Sequence, residues 1–290
     1  MNNSRQSEPG RFLTATAKGP RDEQQDAVLC LSDPEQTRAF LVVSDGVGGN
    51  TGGGLASLSV IESARIFWDE QKGKFSNPKS ALATVCELSH KKIREVGDKQ
   101  AHSARATIVA LYLTSTEAHW VHSGDSRLYH FRNRQLVERT EDHSVVQILV
   151  NQGKLDEKEM GSHPSQGVLL QCLGGDEYPP PAFGKAEVTA DDAFLLCTDG
   201  FWERTSTEEM VETVFCLRAE SSDYLERAVE RAVERNGPKG DNVTVAVALP
   251  IAEKSPDSTK KGSVRRPILW VALVLIALCA LLILLLHWHP

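Results

Sequence analysis

The sequence predicts an α/β fold built on mainly antiparallel sheet, and three observations predict it. Short apolar runs rich in Val, Leu, Ile and Tyr recur between turn residues, at 39–46, 106–114, 119–131, 192–200 and 242–250, and read as strands. Stretches with helical apolar spacing separate some of them, at 55–71, 80–99, 144–153 and 223–236. Several strands follow one another through hairpin-like links, which disfavours strict βαβ alternation. The 290 residues, 41% hydrophobic and 24% charged, can bury a sizeable core without staples.

Taken in order, residues 1–10 are polar and are expected to be disordered; MNNSRQSEPGRF has no apolar stretch of the kind a secretory signal needs. The domain proper is expected over 11–250, without internal repeats. Residues 251–266, IAEKSPDSTKKGSVRR, are rich in Pro, Ser and Lys and read as a flexible linker. Ile268 to Leu286 then run without a charge. At about 1.5 Å per residue they match the roughly 30 Å of a bilayer core, so a single transmembrane helix is expected over 267–287. A soluble core helix of that length normally carries a polar position. The basic KKGSVRR flank puts the domain on the cytoplasmic side, and Trp270 and Trp288 sit near the two ends as interfacial aromatics do.

Net charge is −7; residues 251–290 hold five basic and two acidic residues, which leaves −10 on the rest. An acidic body argues against a nucleic-acid partner. The six cysteines are scattered, without a C-x-x-C pair, and read as buried free thiols in a reducing compartment.

Carboxylates cluster at strand ends. One run ends in Asp45-Gly46 and another in Asp199-Gly200; Gly124-Asp125 falls inside a third, Asp241 precedes the last strand, and Asp26 closes RDEQQD. Glycine beside an aspartate lets backbone approach an ion closely. Asp and Gly are also common turn residues, and one such pair carries no message. Several on one sheet edge would raise each other's pKa without a cation. The constellation therefore either spreads over separate turns or binds metal. If metal, all-oxygen ligation points to Mg²⁺ or Mn²⁺ rather than zinc, and the absence of a D-x-[DN]-x-[DN]-G loop disfavours calcium.

At these residues the sequence resembles the metal-dependent type 2C serine/threonine protein phosphatases in their bacterial form. The likeness runs from about Thr14 to Leu249 through eight motifs in order: RDEQQDA, VVSDGVGGNTGGGLAS, ATIVALYL, VHSGDSRLYHFRN, RTEDHSVVQILVNQG, HPSQGVLLQCLGGD, FLLCTDGFWE and GDNVTVAVA. The resemblance implies a central sandwich of two mainly antiparallel sheets flanked by helices. It implies that Asp45 bridges two metal ions, that the Gly46 carbonyl ligates the first, and that Asp199 and Asp241 complete the second. Asp125 resembles the aspartate that, with Asp199, holds a third, weaker ion. Asp26 resembles a carboxylate that hydrogen-bonds metal waters, and Arg21 the arginine that grips substrate phosphate. The implied chemistry is direct attack by a metal-bridging hydroxide on phosphoserine or phosphothreonine, without a phosphoenzyme. The implied partners are phosphorylated proteins, with a serine/threonine kinase and its substrates foremost, at a bacterial inner membrane. A catalytically silent phosphoprotein-binding scaffold and a hydrolase of another phosphate ester are the competing readings.

Four positions depart from the family pattern. Gln25 stands where many relatives have Glu, Val47 where some have a His proposed as general acid, Gly54 where Glu is frequent, and Arg105 where Gly usually precedes Ala-Thr. The Gly-rich loop 46–54 lacks the Lys-Ser/Thr of a P-loop and the third glycine of G-x-G-x-x-G, so it is not read as a nucleotide site. His119 and His122, three apart on a strand, face opposite sides and are read as sheet residues. His143 is read as a structural cap before the helix at 144. Residues 150–180 are expected to form a flap that recognises substrate.

Overall fold

The computed structural model describes residues 11–47, 49–100, 104–219 and 223–250. The expected disordered N-terminus, linker and membrane helix lie outside the described residues. Among the described residues no helix is long and apolar enough to cross a membrane.

The strands are β1 (Arg11–Ala17), β2 (Ala27–Ser32), β3 (Arg38–Ser44), β4 (Gly46–Val47), β5 (Arg105–Ala106), β6 (Ile108–Thr114), β7 (Glu117–Ser123), β8 (Arg127–Arg132), β9 (Gln135–Arg139), β10 (Ala182–Glu187), β11 (Asp192–Cys197) and β12 (Val243–Leu249). The helices are α1 (Gly49–Glu70), α2 (Pro78–Gln100), α3 (Val145–Asn151), α4 (Asp199–Trp202), α5 (Thr207–Ala219) and α6 (Asp223–Asn236). One five-stranded sheet runs β1-β12-β11-β8-β9, the other β10-β7-β6-β3-β2, and β4-β5 form a small third sheet. Among the described residues every strand pair is antiparallel.

Alternation along the strands builds three apolar layers. On β3, Ala39, Leu41 and Val43 point between the sheets while Phe40 and Val42 point outward beneath α1 and α2. On β11, Phe194 and Leu196 face the other sheet while Ala193, Leu195 and Cys197 face α5 and α6. Strands covered on both faces read as continuous apolar runs, which is why these segments showed no polar alternation. Each fully buried Leu or Phe contributes about 1.5–3 kcal/mol.

The expected strand at 119–131 is two strands in two different sheets. The chain leaves β7 at Ser123, turns through Gly124 at φ 107°, and enters β8 at Arg127. A Cβ at Gly124 would stand 2.6 Å from Thr107 Cγ2, so this crossing demands glycine. The expected strand at 106–114 is likewise interrupted at Thr107.

Candidate active site

Register gathers the site at one end of both sheets. Ala27 pairs with Ser44 and Ile108 with Ser123 in one sheet. In the other, Arg127 pairs with Cys197, Cys197 with Val245, and Val243 with Ala17. Asp26, Asp45, Asp125, Asp199 and Asp241 each adjoin one of these paired ends, so the strand-end carboxylates share one rim.

The turn holding Asp45 is fixed from both sides. Its N–H donates to Thr107 Oγ1 at 2.9 Å, and its carbonyl accepts from the Thr107 N–H at 2.8 Å. Thr107 Oγ1 also meets Ser126 Oγ at 2.6 Å, which ties the Asp45 turn to the Asp125 turn. Gly46 donates to the Gln25 carbonyl at 3.1 Å and lies against the first turns of α1. A Cβ on Gly46 would be 2.0 Å from the Gly53 carbonyl oxygen, and one on Gly53 would be 2.4 Å from that of Gly46.

Asp125 is held from behind. Trp202 Nε1 donates to its carbonyl at 3.0 Å, and the Trp202 ring carries the Arg127 guanidinium 3.4 Å from its centroid. Arg127 in turn makes two 2.7 Å bonds to Asp142. His143 is structural, but the cap of α3 is Ser144, whose side chain accepts from Gln147 N. His143 instead braces the Asp125 turn: its N–H donates to the Gly124 carbonyl at 2.9 Å, and its Nδ1 accepts from Gly124 N at 3.3 Å. Burial and the stacked His122 lower its pKa to about 4, so it is a neutral acceptor at physiological pH. His119 pairs with Glu117 instead.

Electrostatics single out the rim. Burial pushes the Asp45, Asp125 and Asp199 carboxyls well above their ordinary range, and neighbouring carboxylates push them further. Asp26 is raised to about 7: burial and the Asp241 charge raise it, while hydrogen bonds from Thr198 and Thr244 pull it back. Thr198 Oγ1 donates to Asp26 Oδ2 at 2.8 Å. Asp125 Oδ1 is buried without a hydrogen-bond partner. The nearby Cys197 and Cys172 thiols are raised by burial and stay protonated, which leaves oxygen as the donor type.

Among the described residues no three His, Cys, Asp or Glu side chains form a complete ion site by themselves. The donor chemistry nevertheless fits hard divalent ions with water and backbone oxygen in the shell. It offers mutually repelling carboxylates, an orphaned carboxylate oxygen, and a glycine turn without Cβ beside Asp45.

Arg21 reaches the same rim but is engaged with protein. Its Nε donates to the Gly240 carbonyl at 3.0 Å and its Nη2 to Asp241 Oδ2 at 2.8 Å, with the side chain 51% exposed. The structure thus brings all seven expected residues together. Sequence reasoning missed the hydroxyls of Thr107 and Thr198 and the amide of Asn242, whose Oδ1 accepts from Gln25 N at 2.8 Å. All three sit inside the motifs RAT, CTDG and GDN, and that adjacency was the available signal.

The expected flap segment contains a short 3₁₀ turn (Glu157–Ser162) and returns to the core. Leu173 exchanges backbone hydrogen bonds with Ala106, Leu170 N donates to the His143 carbonyl at 2.8 Å, and the Gln166 amide bonds Glu203, one turn beyond Asp199. Val168 and Leu170 are exposed on it.

Residues 21–234 match the family described as protein phosphatase 2C. The serine/threonine protein phosphatase PstP of Mycobacterium tuberculosis is 31% identical over 209 residues, which cover 72% of this chain and 40% of the relative. Protein phosphatase PhpP of Streptococcus pneumoniae is 28% identical over 212 residues, 72% of this chain and 85% of the relative. The crystal structure of the M. tuberculosis phosphatase PstP/Ppp superposes with a TM-score of 0.72 at 28% identity, covering 83% of this chain and 98% of that one. The PstP catalytic domain in complex with two manganese ions gives 0.70 at 27% identity, covering 83% and 97%.

Proposed function

Because this chain belongs to the protein phosphatase 2C family, we propose that it is a metal-dependent phosphatase acting on phosphoserine and phosphothreonine of proteins. The observation that carries the reading is the convergence of Asp45, Asp125 and Asp199 on one rim, each raised by burial and by its neighbours. Asp45, the Gly46 carbonyl, Asp199 and Asp241 would hold two Mn²⁺ or Mg²⁺ ions, in line with the two manganese ions of the PstP catalytic domain. Asp125 with Asp199 would hold a third. Bound there, the ions supply Lewis acidity and bring a water within reach of deprotonation near neutral pH.

The chain's own residues orient and hold. Thr107 fixes the Asp45 backbone so that its carboxylate keeps one direction. Asp26, poised near 7 and hydrogen-bonded by Thr198, can hold or release a proton beside Asp45. Arg21 offers a planar fork to phosphate oxygens. Its exposed pair with Asp241 is worth no more than about 1 kcal/mol, so an incoming phosphate competes for it readily. Val47 carries no ionisable group, so position 47 supplies no acid for the leaving serine or threonine.

The apolar run Ile268–Leu286 and its basic flank support a single-pass anchor with the domain on the cytoplasmic face of a bacterial membrane. A serine/threonine kinase and its substrates are the natural partners there.

The test is phosphate release from a phosphothreonine peptide by the full chain in detergent. Release is expected with Mn²⁺ or Mg²⁺, none in EDTA, and a fall of about a thousandfold in Asp45→Ala and Asp199→Ala. Folded protein that releases nothing with either metal overturns the enzyme reading in favour of a phosphoprotein-binding scaffold. Hydrolysis of small phosphate esters alone overturns the protein substrate.

A further inference from the structure

Arg105 stands where the sandwich rim, the metal turn and the returning flap meet. In the small β4-β5 sheet it lies directly opposite Val47, while its neighbour Ala106 lies opposite Gly46. The next residue, Thr107, is the one that grips Asp45 from both sides. On its other flank Ala106 exchanges backbone hydrogen bonds with Leu173 at 3.0 and 2.8 Å, which brings the flap alongside. The Arg105 side chain is exposed, and its charge acts on the thiol of Cys172, itself within electrostatic reach of Asp125.

What distinguishes this arginine is its place, two residues before the threonine that holds Asp45; it also lacks an acidic partner among the described residues, a property it shares with Arg65, Arg94, Arg134, Arg227 and Arg231. Among the described residues Arg21 is paired with Asp241, Arg38 with Asp33, Arg127 with Asp142, Arg132 with Asp192 and Arg235 with Glu209. Arg105 has no carboxylate among the described residues, although residues 1–250 carry a net −10. A thiol does not neutralise a guanidinium. Its position opposite Val47, two residues past Asp45, leaves an exposed fork of donors at the edge of the candidate active site.

We propose that Arg105 is a specificity-determining residue that binds a second anion on the substrate, close in sequence to the phosphoresidue. This rests on the phosphatase reading above and adds the substrate class. Val47 is two residues past Asp45, about 7 Å along an extended chain. A side chain reaching out from opposite Val47 therefore meets an extended peptide about one to three residues from the phosphorylated one. The matching group is a planar or tetrahedral oxyanion, supplied either by an acidic side chain or by a second phosphorylated residue.

The experiment uses the full chain in detergent and three phosphothreonine peptides that differ at one position, two residues from the phosphothreonine: Gln, Glu or a second phosphothreonine. Turnover is measured with Mn²⁺, and binding of fluorescent peptides by anisotropy in EDTA. The wild-type chain should favour one or both charged peptides over the Gln peptide by about tenfold in kcat/KM and in affinity. The charged peptide that leads identifies the anion source. Arg105→Gln should bring the three peptides together, and Arg105→Lys should restore part of the preference. A wild-type chain that ranks the three peptides equally overturns the proposal, as does a preference that survives Arg105→Gln. Charge-dependent binding that Arg105→Gln abolishes, with no hydrolysis of any peptide, keeps this proposal and overturns the phosphatase reading. Hydrolysis without charge preference does the reverse.

Discussion

The two ends of strand β11 carry an aspartate each, and the two behave in opposite ways. At its start Asp192 is wholly buried, and burial alone would raise its carboxyl. His130 Nε2 at 2.8 Å, Arg132 at 2.7 and 2.9 Å, and the Thr189 N–H at 2.6 Å outweigh that and hold it well below the usual range. Just past its end Asp199 meets burial with other carboxylates instead of cations, and its carboxyl is pushed well up. Asp142, paired twice by Arg127, belongs with Asp192; Asp45 and Asp125 belong with Asp199. Burial is common to both groups, so it does not separate a structural carboxylate from a functional one. The presence of a partner does. The first group is complete within the protein; for the second, the ions proposed above would supply the missing countercharge.

The contrast is open to test. Asp142→Ala leaves the Arg127 side chain, 5% exposed, without its charge partner and should cost about 3–5 kcal/mol in urea unfolding. Asp199→Asn in EDTA should raise the thermal midpoint at neutral pH, because it removes a carboxyl whose ionisation burial and its neighbours oppose. Equal destabilisation by both would break the distinction.

A second, smaller effect is the sign of the pH dependence. Folded Asp26, Asp45, Asp125 and Asp199 keep protons that the unfolded chain releases near pH 4. Their contribution is fully present below that pH and is lost as pH rises, through about 7 for Asp26. The Asp192 contribution has the other sign: it is complete above pH 4 and lost below it. In EDTA the thermal midpoint should therefore fall between pH 5 and pH 7.5, and saturating Mn²⁺ should offset the fall. A midpoint that climbs over this range without metal would contradict the assignment.

Smallest in stability is Arg21→Ala, which breaks an exposed ion pair and should change unfolding by less than about 1 kcal/mol. Its kcat/KM on a phosphopeptide should nonetheless drop by about ten- to a hundredfold. A large loss of stability would make Arg21 a structural partner of Asp241 rather than a phosphate ligand.

Much of this was legible in the sequence because the chemistry sits where strands end. VVSDG and LLCTDG announce both the strand and the carboxylate that leaves it. The helix at 223–236 matches α6 residue for residue, because its apolar stripe of Leu225, Ala228, Val229 and Ala232 has the helical period. The segment 119–131 misled, since its apolar run hides a change of sheet at Gly124 that appears only in how β7 and β8 pair. Strands β1, β2, β9 and β10 and helix α5 were not singled out. The β9 sequence QLVER, for example, is short and mostly exposed, and it gains its strand character from pairing with β8. Partnering was the least legible of all. That Asp142 is neutralised by Arg127 while Asp125 keeps a bare oxygen depends on side chains 15 residues apart in one case and on an absence in the other.

The contact between Gly46 and Gly53 has a reach beyond the turn itself. Gly53 belongs to α1, and the same helix carries Val60, Ala64 and Trp68 into the outer apolar layer. With backbone pressed on backbone, no side chain can flex to absorb a shift, so the helix and the aspartate turn move as one piece. A vacancy opened under Trp68 would tilt the lever whose other arm is Asp45. Substitutions several turns from the chemistry can then behave as active-site lesions, felt first as weakened hold on metal and only afterwards as a lower melting point.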